Sequence, residues 1–210
     1  MTIALFGGSG RTGTEFIPRA LSAGHTLRVL ARTPQKVTHP NDPRLTVIGG
    51  DVFDRDDVAR VIEGSDAVVS LLGQTRGGRK DVQTVGTGHI VVAMKNAGVS
   101  RIISMSGGGL PYEKDEPKLV DKVFRGVMGL FFKSLVKDAT DHATVLRDSG
   151  LDWTIVRAPR LVEEPDRHKY KVGYVGTTGG SKISRGDVAA FILQVLEQDS
   201  YRHDMPFISW

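Results

Sequence analysis

Short apolar runs and longer segments of helical character alternate along this chain. The apolar runs, rich in β-branched residues, are "TIALF", "TLRVLAR", "LTVIGG", "AVVSLLG", "RIISMSG" and "DWTIVRA". The segments between them, such as "RDDVARVIEG" and "VQTVGTGHIVVAMKNAG", carry glycine at or just beyond their C-terminal ends. Strands that alternate with helices predict an α/β fold in which a doubly wound parallel sheet is covered by helices on both faces.

A further amphipathic stretch extends over 118–149, after the polar loop "PYEKDEP" at 111–117. Its apolar residues keep a helical spacing. They are Leu119, Val120, Val123, Phe124, Val127, Phe131 and Leu135. The pattern leaves open whether this face packs into the core, covers the substrate as a lid, or contacts a second subunit, so a monomer and a dimer are both compatible with it.

Length and composition are those of one ordinary globular domain, because the chain has 210 residues, of which 40% are hydrophobic and 25% charged. The absence of cysteine excludes disulfides, thiolate chemistry and cysteine-based metal sites. We see no export signal and no apolar run of about 20 residues, so we expect a cytoplasmic protein that makes no membrane contact. The net charge of +4 comes without a basic stripe interleaved with aromatic residues, and we therefore expect no nucleic-acid partner.

Glycine clusters follow three of the predicted strands. "GGSG" follows the first apolar run, "GQTRGG" the fourth and "SGGG" the fifth. Ligands of doubly wound sheets bind at the carboxyl ends of the strands, where the strand order switches. Gly7 and Gly10 of the first cluster and Gly13 just after it stand between a strand and a helix, so backbone N–H groups and the positive helix end can face a pyrophosphate.

The end of the second strand tests for a dinucleotide site. An acidic residue there would accept a hydrogen bond from the 2′-hydroxyl of NAD, but this chain has "VLARTPQK", with Arg32 at the strand's tip and Lys36 nearby. An arginine suits a 2′-phosphate, so we expect NADP(H) to bind more tightly than NAD(H), by about tenfold to a hundredfold. The alternative is an ordinary solvated loop arginine.

Six segments together resemble a known superfamily. They are "GGSGRTG", "VLAR", "GDVFDRDDV", "AVVSLLG", "SGLDWTIVRAPRL" and "ISRGDVAAFIL". The array resembles the atypical short-chain dehydrogenase/reductase superfamily, and within it the small NAD(P)H-binding group that contains biliverdin reductase B (flavin reductase) and bacterial NADH-flavin reductases. The resemblance covers nearly the whole chain. It implies a single Rossmann-like domain over 1–210, with a small substrate-side region at about 108–136 and 160–183.

The resemblance also implies which residues bind the dinucleotide. Those around the pyrophosphate would be Gly7, Gly10, Arg11, Thr12 and Gly13, with Arg11 and Arg32 close to the 2′-phosphate. Asp51 and Val52 would flank the adenine, and Leu72, Gly73 and Gln74 would lie under the second ribose. The nicotinamide would lie between two groups, Ser104, Met105 and Ser106 on one side and Ala158 and Pro159 on the other.

The catalytic motif of ordinary short-chain dehydrogenases is missing. In Tyr-x-x-x-Lys the lysine lowers the pKa of the tyrosine, which then exchanges a proton with a substrate alcohol. Four residues beyond the four tyrosines of this chain stand Glu116, Tyr174, Thr178 and Met205. Alcohol oxidation therefore lacks its acid/base. Hydride transfer to a flavin, a bilin or a similar conjugated acceptor tolerates this loss, because positioning supplies most of the catalysis.

The only catalytic candidate is Ser106, as a donor that orients the acceptor beside the nicotinamide. Two alternatives to a reductase remain: a non-catalytic NADP(H)-binding sensor that regulates a partner, and a nucleotide-sugar epimerase or dehydratase, which the lost acid/base disfavours.

Other polar groups have structural interpretations. Lys137 and Asp141 have the i, i+4 spacing of a surface salt bridge, although one or more of Lys137, Asp138, Asp141 and His142 could face the site. Ser184 and Asp187 have the spacing of a capping box before an apolar helix. The remaining histidines lack metal-ligand spacing, so we expect no metal site.

Overall fold

The computed structural model describes residues 1–75, 77–119, 121, 126, 129–177 and 179–210. The first half contains β1 (Thr2–Phe6), α1 (Arg11–Ser22), β2 (Thr26–Ala31), a 3-10 turn (Pro34–Lys36), β3 (Leu45–Gly49), α2 (Arg55–Ile62), β4 (Ala67–Ser70), α3 (Val82–Ala97) and β5 (Arg101–Gly107). The second half contains α4 (Lys133–Arg147), β6 (Asp152–Ala158), β7 (Arg160–Val162), β8 (Lys171–Gly173), β9 (Lys182–Ser184), α5 (Arg185–Glu197) and β10 (Phe207–Ser209). All six predicted strands are present.

An eight-stranded sheet with the order β3-β2-β1-β4-β5-β6-β10-β8 forms the centre of the molecule. Its strands are parallel except β8, which pairs antiparallel with β10. β1 pairs with both β2 and β4, so the chain reverses its direction of winding at β1. This is the predicted doubly wound sheet. Strands β7–β10 were not predicted, because runs of three residues are too short to show a periodicity.

Helices cover both faces of the sheet, as expected. Successive side chains of a strand point to opposite faces. Leu5 accordingly packs in the core beneath α1 and α5, whereas the next residue, Phe6, packs in the core beneath α2, α3 and α4. No helix in the described part of the chain is both long enough and apolar enough to cross a membrane.

The structure contradicts core packing for part of the amphipathic stretch at 118–149. Leu119 is 79% exposed, Phe131 72% and Leu135 36%, so core packing is wrong for these three residues. Val120, Val123, Phe124 and Val127 lie outside the described residues. Helix α4 turns a different set of residues inward, namely Asp138, His142, Ala143 and Leu146. The buried face therefore includes two polar residues, which a search for apolar periodicity does not find.

Candidate cofactor-binding site

The glycine-rich turn is shaped by two close backbone approaches. Gly7 has φ 80°, and a Cβ on it would lie 2.6 Å from the carbonyl oxygen of Leu71, where the chain leaves β4. A Cβ on Gly13, in the first turn of α1, would lie 2.4 Å from the carbonyl oxygen of Gly8. Gly10 is the N-cap of α1, and it leaves the first N–H groups of the helix without a side-chain cap. Uncapped N–H groups at a helix N-terminus suit an anion.

A cavity of about 280 Å³ opens beside this turn, at the carboxyl ends of β1, β2 and β4. Seven of the predicted cofactor residues line it: Gly7, Gly10, Arg32, Asp51, Val52, Leu72 and Gly73. Its position at the switch between β1 and β4 is the one expected for a ligand of a doubly wound sheet. The structure thus brings together the residues predicted for the adenine, one of the two arginines predicted for the 2′-phosphate, and part of those predicted for the pyrophosphate and the second ribose.

Two cations face the cavity without a carboxylate partner. Arg32 and Lys36 both line it, both are exposed, and within the described ranges neither has a carboxylate oxygen within 4.0 Å. Arg11 is placed differently, because its Nη1 pairs with Glu163 Oε1 at 3.4 Å and it does not line the cavity. The structure therefore places Lys36 in the same cavity as Arg32, and the predicted role of Arg11 at the 2′-phosphate stays a prediction.

The predicted adenine end of the cavity contains an aromatic residue, Phe53, that was not predicted from the sequence. Phe53 lines the cavity directly after Asp51 and Val52, and the Arg79 guanidinium lies 4.0 Å from the centre of its ring. Asp51 accepts a hydrogen bond from the Phe53 N–H at 3.1 Å. An aromatic residue following "GDV" was the available signal for this wall of the cavity. Ser9, Thr33, Thr75 and Val82 also line the cavity and were not predicted from the sequence.

The residues predicted around the nicotinamide lie at the same edge of the sheet but outside the cavity. Strand pairing sets Ser106 opposite Arg157, and Gly107 opposite Ala158. Ser106 is 5% exposed, and its hydroxyl has no hydrogen-bond partner among the described residues. Pro159 is half-buried at the end of β6. An unpartnered hydroxyl in a buried position is the kind of group that a bound ligand would satisfy.

Ser104 has a partner within the protein. Its Oγ lies 2.8 Å from Nε2 of His142 in α4, and both side chains are buried. Burial lowers the pKa of His142 to about 4, so the ring is neutral at pH 7. The Ser104 hydroxyl therefore already has a hydrogen-bond partner in α4, whereas the Ser106 hydroxyl has none among the described residues.

Two local features predicted for helices are present in the structure, a surface salt bridge and a helix cap. Lys137 and Asp141 form the expected exposed salt bridge at 2.5 Å. Asp138 and His142 are both buried. Ser184 is the N-cap of α5, as predicted, and its Oγ accepts a hydrogen bond from the Asp187 N–H at 3.0 Å.

The carboxylate of Asp187 accepts its hydrogen bonds from groups outside α5. It accepts hydrogen bonds from the backbone N–H groups of Arg167 and His168 and from Trp210 Nε1. Asp166, His168 and Asp187 have ligand atoms within 4.8 Å of one another. Asp166 accepts hydrogen bonds from Arg19 and Ser184, so side chains and backbone of the protein already serve both carboxylates.

A buried ion pair that was not predicted from the sequence lies behind the predicted nicotinamide side of the edge. Arg157 in β6 is 0% exposed and donates to both carboxylate oxygens of Asp115, each at 2.8 Å. Asp115 belongs to "PYEKDEP", the most polar loop of the chain. A polar loop in sequence therefore supplies one of the most buried charges in the structure.

Fold and site together define a Rossmann-type nucleotide-binding protein. A glycine turn, an uncapped helix and two cations without a carboxylate partner among the described residues lie at its strand switch. The chain belongs to the NAD(P)H-binding family, whose model matches residues 7–199.

Known proteins are similar to this one over nearly the full chain. The uncharacterized protein YwnB of Bacillus subtilis is 24% identical and is matched over 97% of this chain and 96% of its own length. The anaerobillin reductase ChuY of Escherichia coli O157:H7 has a TM-score of 0.83 at 20% identity, covering 100% of this chain and 97% of that one.

A short-chain dehydrogenase/reductase of Veillonella parvula in complex with NADP has a TM-score of 0.81 at 18% identity, covering 100% and 94%. Both solved structures share the fold of this chain. Some curated relatives are longer, and the chain spans about a third of the length of the mycobacterial 3β-hydroxysteroid dehydrogenases that it matches.

Proposed function

We propose that this protein is an NADPH-dependent reductase that transfers hydride to a flavin, a bilin or a similar conjugated acceptor. The observation that carries the proposal is the cavity at the ends of β1, β2 and β4, into which Arg32 and Lys36 bring two positive charges without a carboxylate partner in the described ranges. The uncapped start of α1 suits the pyrophosphate, and the two cations suit the 2′-phosphate. NADPH, when bound, supplies the hydride, and NAD(H), which lacks that phosphate, would bind more weakly.

The proposed cofactor contacts follow the order of the strands. Gly7, Gly10, Arg11, Thr12 and Gly13 would surround the pyrophosphate, and Asp51 and Val52 the adenine. Leu72, Gly73 and Gln74 would lie under the second ribose. Ser104, Met105, Ala158 and Pro159 would border the nicotinamide, with Ser106 as the donor that orients the acceptor.

The tyrosines of the structure support an acceptor that needs no enzymic acid. Burial raises the pKa of Tyr112 to about 12 and also raises the pKa of Tyr170 and of Tyr174. A tyrosine that exchanges protons with an alcohol near pH 7 needs a lowered pKa. A conjugated acceptor takes hydride at one atom, and its proton can come from solvent.

Exposed apolar side chains just before α4 suit a planar acceptor. Leu130, Phe131 and Phe132 are exposed, and Ser134, two residues further on, accepts a hydrogen bond through its carbonyl oxygen from the Gln74 amide. We propose that 108–136 and 160–183 form the acceptor side of a single domain in the cytoplasm. ChuY, which shares the fold, is named an anaerobillin reductase, so a tetrapyrrole belongs among the acceptors tested.

The test is steady-state oxidation of NADPH by the full chain with FMN, FAD, riboflavin, biliverdin and a quinone in turn. We expect turnover above the uncatalysed rate with at least one of them. Gly13→Ala should abolish it, because the new Cβ would collide with the backbone of Gly8. The matched control is Gly88→Ala, since the described part of the chain leaves open space around a Cβ there.

The sensor hypothesis has a distinct outcome in the same experiment. NADP⁺ and NADPH would bind with comparable affinity, no acceptor would be reduced, and a partner protein would be retained in a nucleotide-dependent manner. Absence of turnover with every acceptor would overturn the reductase, and absence of NADPH binding would overturn both functions.

A further inference from the structure

A buried glutamine joins the two strand ends that flank the predicted nicotinamide side. Gln83, in the first turn of α3, is 6% exposed, and its side-chain Nε2 donates to the carbonyl oxygens of Leu72 at 3.0 Å and of Met105 at 3.2 Å. The pairing of β4 with β5 extends only to Ser70 and Ser104. The amide therefore bridges the two chains where their own ladder has ended.

The start of α3 is held by a residue from another helix. Asp81, the N-cap of α3, makes no side-chain cap hydrogen bond. Asp138 of α4, itself 3% exposed, takes this role, because its Oδ2 accepts from the Gln83 N–H at 3.1 Å and its Oδ1 accepts from the Thr84 N–H at 2.9 Å. A carboxylate at a helix N-terminus satisfies backbone donors and interacts favourably with the helix dipole.

The same carboxylate also holds the loop after β4. Gln74 Nε2 lies 3.3 Å from Asp138 Oδ2 and donates to the carbonyl oxygen of Ser134 at 3.2 Å. One buried group thus connects α4, the start of α3 and the loop at Gln74. Through Gln83 it reaches Leu72 and Met105, both of which we propose as cofactor contacts.

We infer that Asp138 and Gln83 are positioning residues, which hold the ends of β4 and β5 in the geometry that the nicotinamide half of the cofactor requires. This inference rests on the proposed function. Among the described residues, the hydrogen bonds of this network do not include Arg32, Lys36 or Asp51, which line the cavity just beyond β2 and β3. Loss of the network should therefore act on one half of the site. Misplacement of about 1 Å can lower a rate about a hundredfold, so the effect on turnover should be large.

The test compares a whole cofactor with a fragment of it. Affinities for NADPH and for 2′,5′-ADP are measured by calorimetry on wild type, Gln83→Met and Asp138→Asn, together with kcat on the best acceptor. We expect both variants to bind 2′,5′-ADP within about twofold of wild type while kcat falls by at least about tenfold. Either variant suffices if the other fails to fold.

Thr154, a buried polar residue in the amino-terminal half of β6, serves as the control for general destabilisation. Thr154→Val removes a hydroxyl that donates to the carbonyl oxygen of Tyr201 and accepts from Arg101, and it should lower the thermal midpoint without lowering kcat. Equal losses for NADPH and 2′,5′-ADP, or a kcat no lower than that of Thr154→Val, would overturn the positioning role alone. A wild type that binds no NADPH would overturn the proposed function and this inference together.

Discussion

Two arginines near the ends of β2 and β6 have opposite surroundings. Arg32 is exposed beside an open cavity and has no carboxylate partner among the described residues, whereas Arg157 is fully buried and forms a two-point ion pair with Asp115. One charge is available to a ligand, and the other is used within the protein. We therefore expect the predicted adenine side of the edge to bind a ligand through an exposed charge, whereas a buried ion pair fixes the interior behind the predicted nicotinamide side.

The largest effect should come from breaking the interior pair. Arg157→Ala removes the guanidinium that donates to both oxygens of the buried Asp115 carboxylate, so we expect the free energy of unfolding to fall by about 3–5 kcal/mol, measured by urea denaturation. Lys137→Ala, which removes an exposed pair with Asp141, should change it by less than about 1 kcal/mol. Similar losses for the two variants would remove the distinction between buried and open charges.

The buried histidine should make the interior sensitive to acid. Because the pKa of His142 is lowered to about 4 in the folded protein and is about 6.5 when unfolded, the unfolded chain takes up the proton first. Stability contributed by the neutral ring is then complete above pH 6.5 and is lost as the pH falls to 4, by up to about 3 kcal/mol. Denaturation curves of wild type and His142→Gln at several pH values should diverge over this range; parallel pH profiles would contradict the assignment.

The exposed Arg32 should control the affinity for NADPH, and its replacement should leave the free energy of unfolding nearly unchanged. Arg32→Ala should weaken NADPH binding by about tenfold to a hundredfold and leave NADH binding nearly unaffected, because only NADPH carries the 2′-phosphate. Calorimetry with both nucleotides measures this, and Arg11→Ala, whose side chain pairs with Glu163, should have the smaller effect. An equal loss for the two nucleotides would mean that Arg32 does not contact that phosphate.

The smallest effect should come from the unpartnered hydroxyl at the end of β5. Ser106→Ala removes one neutral hydrogen bond to the acceptor, so kcat should fall by about fivefold to tenfold while KM for NADPH stays unchanged. Ser65→Ala, which alters another buried serine outside the site, is the control. A normal kcat in Ser106→Ala would exclude the orienting role.

The sequence predicted those structural features that depend on contacts between residues close together in the chain. The glycine turn follows from sterics within residues 7–13, and Arg32 follows from its place at the tip of a recognisable strand. The choice of Arg11 as a neighbour of the 2′-phosphate remains untested, since a backbone motif does not fix the direction of a long side chain. Glu163, which holds Arg11, is 152 residues away.

The sequence by itself determined the doubly wound sheet and predicted both the edge at which a ligand would bind and its preference for a phosphate, because apolar periodicity and glycine sterics act over a few residues. Only the tertiary structure decided which polar groups are used internally. Asp138 is 55 residues from Gln83, and Asp115 is 42 residues from Arg157. These pairs form because the order of strands brings distant segments together in the interior, where a buried charge or amide must find a partner.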